Sequence, residues 1–416
     1  MDAIKDWRQL MLDKKVLISG ASIAGPALAY WLERYGCAVT IVEQADHLRG
    51  GGQAVDFKGE THRTVLERMG ILDEVHRRRT TPTDLHIIDE SERVRATMPA
   101  EFIGGDVEIL RGDLTELLYE LTAGTCEYVF GDRITSLSET SSGVDVTFER
   151  GEPRTFDLVF GADGIHSGVR SLAFGPETDF VEFRGYYYAV VGGDPERKPT
   201  NIDANGHASG LMYNEPGVLA MVGGPKAPEL FVFASQKREY DRRDIGTQKQ
   251  IVADAYRGAG WRVPEMMRAM TDDPDFYLDS LSRVRMNTYS SGRIALLGDA
   301  AYGNTLGGFG TGLAMVAAYV IAGELATANG DHEIAFRRYN ELFHRYAKVA
   351  RSGDAGPFLA PRTPLRIRLR NWTFAFRLPM RLMLKMTDAF ATDIQLPDYS
   401  ALSTATSSAT SSAGEA

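Results

Sequence analysis

Several features that narrow a chain's chemistry at once are missing from this one. Its 416 residues include only two cysteines, Cys37 and Cys126. They form no CxxC pair and no metal-like spacing, so neither a disulfide framework nor a zinc site is expected. Both read as isolated thiols in a reducing cytoplasm. Histidine, cysteine and carboxylate residues nowhere gather at ligand spacing, and no metal centre is expected. There is no P-loop and no Gly-x-Ser-x-Gly elbow. No run reaches the roughly 18 apolar residues of a spanning helix. The charged stretch Met1 to Lys15 lacks the apolar core of a secretion signal. Basic residues are the minority, 46 against 56 acidic, for a net charge of −10. Phosphate backbones require a basic footprint, so nucleic acid is not an expected partner. No repeat with a period of roughly 20–50 residues appears.

What is present is ordinary globular usage, 44% hydrophobic and 25% charged, in a chain long enough for two or three domains and an enclosed pocket. The first clear unit runs from Lys15 to Gln44. Val16-Leu17-Ile18-Ser19 has the apolar, β-branched signature of a buried strand. A glycine turn follows, then a helical stripe of Ala27, Leu28, Trp31 and Leu32 ended by Gly36, then the strand Ala38 to Glu43. Strand, helix and strand within about thirty residues make a βαβ unit and predict a parallel sheet. Further on, 61–79 and 113–121 read as helices and 155–160 as one strand. From about 177 to 240, short β-rich runs between Gly, Pro and Asn turns predict a mainly antiparallel sheet inserted into the first unit. Residues 245–260 read as helix, 294–297 as a buried strand and 313–326 as a long apolar helix. The Ser/Thr/Ala-rich end from 399 reads as disordered.

Gly20-Ala21-Ser22-Ile23-Ala24-Gly25 lies where a strand turns into a helix. Glycines there let the backbone approach a pyrophosphate, and the helix start offers free N–H groups. Glu43 closes the next strand, 18 residues after Gly25, where an acid can accept both ribose hydroxyls of an adenosine. Ser22 takes the place of the middle glycine. NAD and FAD fit this fingerprint equally well. Two later segments separate them: Gly161-Ala162-Asp163-Gly164-Ile165-His166-Ser167-Gly168-Val169-Arg170, and Gly292-Arg293-Ile294-Ala295-Leu296-Leu297-Gly298-Asp299-Ala300-Ala301.

The three segments, in this order and spacing, resemble the class A flavoprotein monooxygenases with the para-hydroxybenzoate hydroxylase fold. With Gly51-Gly52-Gln53-Ala54-Val55-Asp56 and Gly310-Thr311-Gly312-Leu313-Ala314, the wording is most similar to the branch of tetracycline-inactivating and polyketide-tailoring hydroxylases. The likeness spans roughly residues 14–350. It implies an α/β fold: a Rossmann-like FAD-binding domain from 14–82, 102–176 and 283–355, an inserted mainly antiparallel substrate domain from 83–101 and 177–282, and a C-terminal helical segment over 356–398. It implies FAD, with NADH or NADPH as a transient reductant docking on the surface, because only one dinucleotide fingerprint exists.

The cofactor-binding set it implies is Gly20, Ser22, Ile23, Ala24, Gly25, Glu43, Gln53, Arg111, Asp163, Asp299, Gly310, Thr311 and Gly312. Asp299 ends a buried strand, where a carboxylate can hold ribityl hydroxyls. The turn Gly307 to Gly312 opens the apolar helix, whose amides and dipole can stabilise negative charge on the reduced ring. Asp163-Gly164, with Arg170 nearby, resembles the motif that touches FAD and the nicotinamide cofactor, although Asp-Gly is also a common turn. Arg111 read alone is a solvated charge, and Gln53 and Asp56 read equally as surface residues. The chain departs from the family at Tyr302, where a histidine is usual, and at Asn304-Thr305-Leu306, where prolines are usual.

The implied reaction is hydroxylation of a sizeable organic, aromatic or polyketide-like substrate: NAD(P)H reduces the flavin, O₂ adds at C4a, and the hydroperoxide transfers one oxygen atom. It needs no side-chain nucleophile, so no catalytic acid or base is named. A reductase or dehydrogenase of the same fold, or a flavin carrier without turnover, would use the same motifs. The Trp-x-Trp-x-Ile-Pro motif of flavin halogenases is absent. Among the middle-domain aromatics, Tyr186, Tyr187, Tyr188, Tyr213, Phe231 and Phe233 read either as core or as pocket lining. Residues 362–386 carry seven basic residues and no acid. The resemblance implies a C-terminal helix packed across both domains; a basic amphipathic helix lying on a membrane is the less favoured alternative.

Overall fold

The structure, a computed structural model, describes residues 11–12, 14–48, 50, 53–192, 202–223, 229–308, 310–351, 353–376, 379–380 and 395–399. Gly51 and Gly52, Phe309, the tail after Tyr399 and much of the expected C-terminal segment lie outside them.

A six-stranded sheet forms the base. From edge to edge it runs Ser290–Ser291, Ile294–Leu296, Leu158–Gly161, Lys15–Ser19, Ala38–Glu43 and Glu127–Phe130. Every neighbour pair is parallel except the two-residue edge strand. The three strands that lead into the glycine motifs are therefore adjacent at the centre. Both faces are covered, which is why the central strands read as continuous apolar runs. The helix Ala24–Arg34 packs on the helix Gly310–Thr327, with Trp31 edge-on to Tyr319 at 5.1 Å. Gly310–Thr327 is apolar on all sides because fifteen of its residues are buried, from Gly312 to Ala326. Among the described residues it alone has the length and hydropathy of a membrane span, but it forms the core of the domain.

A second sheet has seven strands in the order Phe276–Val284, Val181–Val191, Glu229–Ala234, Val218–Val222, Ala208–Glu215, Thr83–Ile88 and Val94–Met98. It is antiparallel except where Ala208–Glu215 pairs with Thr83–Ile88. Its two faces have different partners. One is covered by the helices Ile245–Ala255 and Val263–Asp272, and Tyr187, Tyr213, Phe231 and Phe233 are core there. Tyr186 and Tyr188 lie on the other face, with Met212, Met221, Leu230 and Leu281, against Leu306, Phe358 and Phe374.

Three elements differ from the sequence reading. The expected strand over 155–160 is two strands. Arg154–Phe156 joins a small antiparallel sheet with Val144–Phe148 and Ile134–Glu139, while Leu158–Gly161 enters the parallel sheet. Asp157 makes the switch, its carboxylate and amide bonding Lys15 N and Lys15 O, both at 2.8 Å. The expected helix over 61–79 is Gly59–Met69 followed by Leu72–Arg77, broken where Gly70 takes φ +72°. The helix expected over 245–260 ends at Ala255.

Candidate functional site

At the turn after Lys15–Ser19, Gly20 has φ +108°, and a methyl group there would lie 2.5 Å from Ala162 O. A methyl on Gly25 would lie 1.9 Å from Gly20 O. One glycine admits the neighbouring motif and the other seats the helix on its own turn. No side chain caps the helix at Ile23, and its first turn carries no acid. The amides around Ser22 to Gly25 therefore form an open, positively polarised end suited to an anion. Glu43 sits beside it. Its oxygens accept from Ala21 N and Ala45 N, both at 2.9 Å. Each oxygen keeps a lone pair for a further donor.

A two-stranded ribbon, Ala54–Phe57 with Val107–Leu110, delivers Arg111 to the same place. Arg111 N donates to Gln53 O at 3.1 Å, and its guanidinium donates to Ser22 Oγ at 2.9 and 3.2 Å. It is exposed, with no carboxylate in ion-pair range among the described residues. Gln53, Ser22 and Arg111, far apart in sequence, are thus brought together.

The three strand ends are locked in step, with Ala162 N on Ser19 O at 2.8 Å and Leu297 N on Gly161 O at 3.0 Å. Gly298, at φ +62°, lets the Asp299 turn lie against Ala24, 3.2 Å from where a methyl would stand. Asp299 reaches solvent, yet protein hems it in enough that desolvation raises its carboxyl above the ordinary range; Arg111 is the cation that opposes this. Its carboxylate accepts no hydrogen bond from a described residue. A methyl on Gly310 would touch Asp299 Oδ1 at 3.6 Å, so Asp299 stands at the start of the long apolar helix, beside Gly310, Thr311 and Gly312.

Asp163 is placed differently. Its backbone abuts Gly20, but its carboxylate turns back on its own loop, accepting from Ser167 Oγ at 2.5 Å and Val169 N at 3.1 Å. Burial raises its pKa, against those hydrogen bonds. Arg170 is fully buried and braces Ala300 O at 2.9 Å and Ile165 O at 2.6 Å, joining the second motif to the third. Tyr302 is also a core brace. Its hydroxyl accepts from Gly298 N at 3.0 Å and its ring stacks on Phe343. The missing histidine therefore leaves a packing residue in its place, and Asn304 and Thr305 hold the turn by hydrogen bonds where prolines are usual, while Leu306 packs on the sheet. Val284 N meets Gly303 O at 2.7 Å, Thr305 N meets Ser282 O at 3.0 Å, and Asn304 Nδ2 meets Gly353 O at 3.1 Å. These stitch the turn to the seven-stranded sheet and to the C-terminal segment.

Sequence reasoning did not single out His62. It is buried beneath Gly312, where a methyl would lie 2.2 Å from its Cε1, and its Nδ1 accepts from Lys58 N at 3.1 Å. Its spacing to Val65, Leu66 and Met69, all buried on one helix face, was the available signal. Burial lowers its pKa from 6.5 to about 4. It is neutral in the folded chain, while the unfolded chain takes up a proton below about 6.5. This contribution is at its full value above pH 6.5 and is lost as pH falls towards 4, by about 3 kcal/mol in all. His62→Gln should remove that slope, so the unfolding free energies of wild type and variant should converge by about this amount between pH 7 and pH 4. A pH-independent difference in urea titrations would show that His62 titrates freely.

Also unanticipated is a clasp between the two sheets. His166 lies between Glu177, 3.0 Å from Nδ1, and Asp279, 3.1 Å from Nε2; Tyr277 donates to Asp279 Oδ2 at 2.9 Å. Burial alone would lower the pKa of His166, but the two carboxylates outweigh it and raise it. Beside the clasp is a groove of ≈ 240 Å³ lined by His166, Tyr187, Lys237, Arg238, Tyr240 and Arg242.

The FAD binding domain family matches residues 13–333. A flavin-dependent monooxygenase of Legionella longbeachae is 36% identical over 342 residues, covering 80% of this chain and 85% of its own. Another, from an unknown prokaryotic organism, is 35% identical over 400 residues, covering 93% and 99%. Among solved structures, tetracycline destructase Tet(55) superposes with a TM-score of 0.77 at 32% identity, and Tet(51) with 0.75 at 29% identity. Each covers 93% of this chain and 99% of its own.

Proposed function

This chain belongs to the FAD-binding family of flavin-dependent monooxygenases, and on that premise we propose that it hydroxylates a sizeable, ring-bearing organic substrate with electrons from NADH or NADPH. It is an FAD-dependent monooxygenase; FAD, when bound, supplies the electron transfer and the activation of O₂. The chain's own residues bind, orient and exclude water. The uncapped amides at Ser22 to Gly25, with Arg111 above them, fit a pyrophosphate. Glu43 fits an adenosine ribose. Asp299 fits the ribityl hydroxyls, and the helix start at Gly310 to Gly312 fits the ring edge where negative charge gathers on reduction. One observation carries this reading: the Asp299 carboxylate, with Oδ1 3.6 Å from where a methyl on Gly310 would stand, accepts no hydrogen bond from a described residue.

The substrate class is supported by the likeness to two tetracycline destructases. The reductant reading is supported by the groove beside the second motif, where Lys237, Arg238 and Arg242 outnumber Glu177 and Glu239 and offer cations to a dinucleotide's phosphates. A cytoplasmic location is supported by two buried free thiols. Purified protein should show a flavin spectrum that NADH or NADPH bleaches. Oxidation of a panel of aromatic polyketides under isotopically labelled O₂ should put one labelled atom into a product. Bleaching with peroxide as the sole oxygen product for every substrate would instead favour the reductase reading.

A further inference from the structure

The helix Pro364–Ala375 is packed on one side only. Arg370 is buried, donating to Phe358 O and Leu359 O at 3.1 Å and to Asn214 Oδ1 at 2.8 Å, and Phe374 packs edge-on to Phe102 at 5.1 Å. These contacts fix the helix rigidly to the outer strands of the seven-stranded sheet. They also fix which side faces out. Leu365, Leu369 and Trp372, at spacings of four and three, form one outward stripe, 65%, 58% and 54% exposed, and exposed Phe376, just past the helix end, packs on Trp372 at 5.4 Å. Exposed Arg362, Arg366 and Arg368 flank it. Arg366 and Arg368 pair with no carboxylate among the described residues.

We infer that this stripe is a docking surface for an anionic lipid bilayer, on which the helix lies flat in the interface. An apolar stripe with a tryptophan, bordered by arginines whose stems are apolar and whose heads stay wet, matches the boundary between acyl chains and headgroups. The charge is local and opposite to the rest of the chain. Residues 362–386 hold seven basic residues and no acid, whereas the whole chain carries −10. A neutral surface would leave those cations without a counter-charge, and a second copy would set arginines against arginines. A negatively charged lipid surface supplies both apolar depth and counter-charge. One face of the helix is thus packed against the seven-stranded sheet, and the other is left for the bilayer.

The test is sedimentation of the FAD-loaded enzyme with phosphatidylcholine vesicles, alone or with about one third phosphatidylglycerol. Wild type should sediment with the anionic vesicles, far less with the neutral ones, and be released by about 0.5 M salt. Leu369→Glu and Arg366→Glu should each bind at least about tenfold more weakly, with flavin spectrum and turnover in solution unchanged. Equal binding to both vesicle types, no binding, or binding indifferent to both substitutions would overturn the inference. So would a dimer, seen by light scattering, that Leu369→Glu dissolves in a protein that ignores vesicles; the stripe would then belong to a second copy.

Discussion

Asp299→Ala protein is expected to purify folded and nearly colourless. The carboxylate sits at the end of a buried strand in desolvating surroundings, accepts no hydrogen bond from a described residue, and has Arg111 as its opposing charge. A group so placed costs the empty protein some stability, because desolvation of the charge outweighs the attraction of Arg111. Its removal should leave the apo form as stable as wild type or slightly more so. With FAD the sign reverses. Each hydrogen bond from a ligand hydroxyl to a carboxylate is worth about 1.5–3 kcal/mol, so one lost bond weakens FAD binding roughly 10- to 150-fold. The thermal stabilisation that saturating FAD gives the wild type should shrink accordingly. Asp299→Asn, which keeps one acceptor oxygen, should fall between the two. Two measurements decide it: melting with and without added FAD, and flavin retained after dialysis. If Asp299 were only a helix-start acid, alanine would lower the apo melting temperature and leave FAD affinity alone.

The parallel core was legible because its physics is local. Val16 to Ser19 and Val39 to Val42 are buried on both faces, and an apolar run flanked by glycine states that directly. Gly20, Gly25 and Glu43 could be read for the same reason, since they lie within one βαβ unit. The closing of the site could not be read this way. Arg111 meets Ser22 across 89 residues, and only the ribbon pairing Ala54 with Leu110 brings them together. The likeness implies that Asp163 touches the cofactors, and Ser167 Oγ and Val169 N, a few residues on, hold its carboxylate in its own loop. Tyr302 departs from the family's usual histidine, and its burial against Phe343 depends on a helix some forty residues later. The sheet of Ile134–Glu139 and Val144–Phe148 was in principle readable. Its strand Val144–Phe148 alternates buried and exposed without a break, but short strands of this kind resemble loops until their partners are known.

Gly312→Ala is expected to destabilise the protein and expel the flavin, although alanine is the better helix former. In an open helix this change gains about 1 kcal/mol. Here the methyl would meet the His62 ring at 2.2 Å, closer than any relaxed contact. The ring has little freedom to yield. It is buried, its Nδ1 is bonded to Lys58 N, and it packs edge-on to Phe57 at 6.2 Å. Either the ring leaves, or the start of the helix Gly310–Thr327 shifts away from Asp299. Overpacking of this kind costs about 1–3 kcal/mol, and the opposite sign to the helix-propensity gain identifies it. A shift of the helix start would also move the amides proposed to face the flavin. The same clash makes Gly312→Pro a poor probe of those amides alone, since it would crowd His62 while removing an N–H. A double-mutant cycle separates the causes. His62→Ala creates a cavity and should cost stability alone, but with Gly312→Ala it supplies the missing space. The double variant should be more stable than the two single changes predict by about 1–3 kcal/mol, and should regain FAD. Additive stabilities, or a single Gly312→Ala that is neutral and yellow, would mean that the turn has slack and that His62 does not set its position.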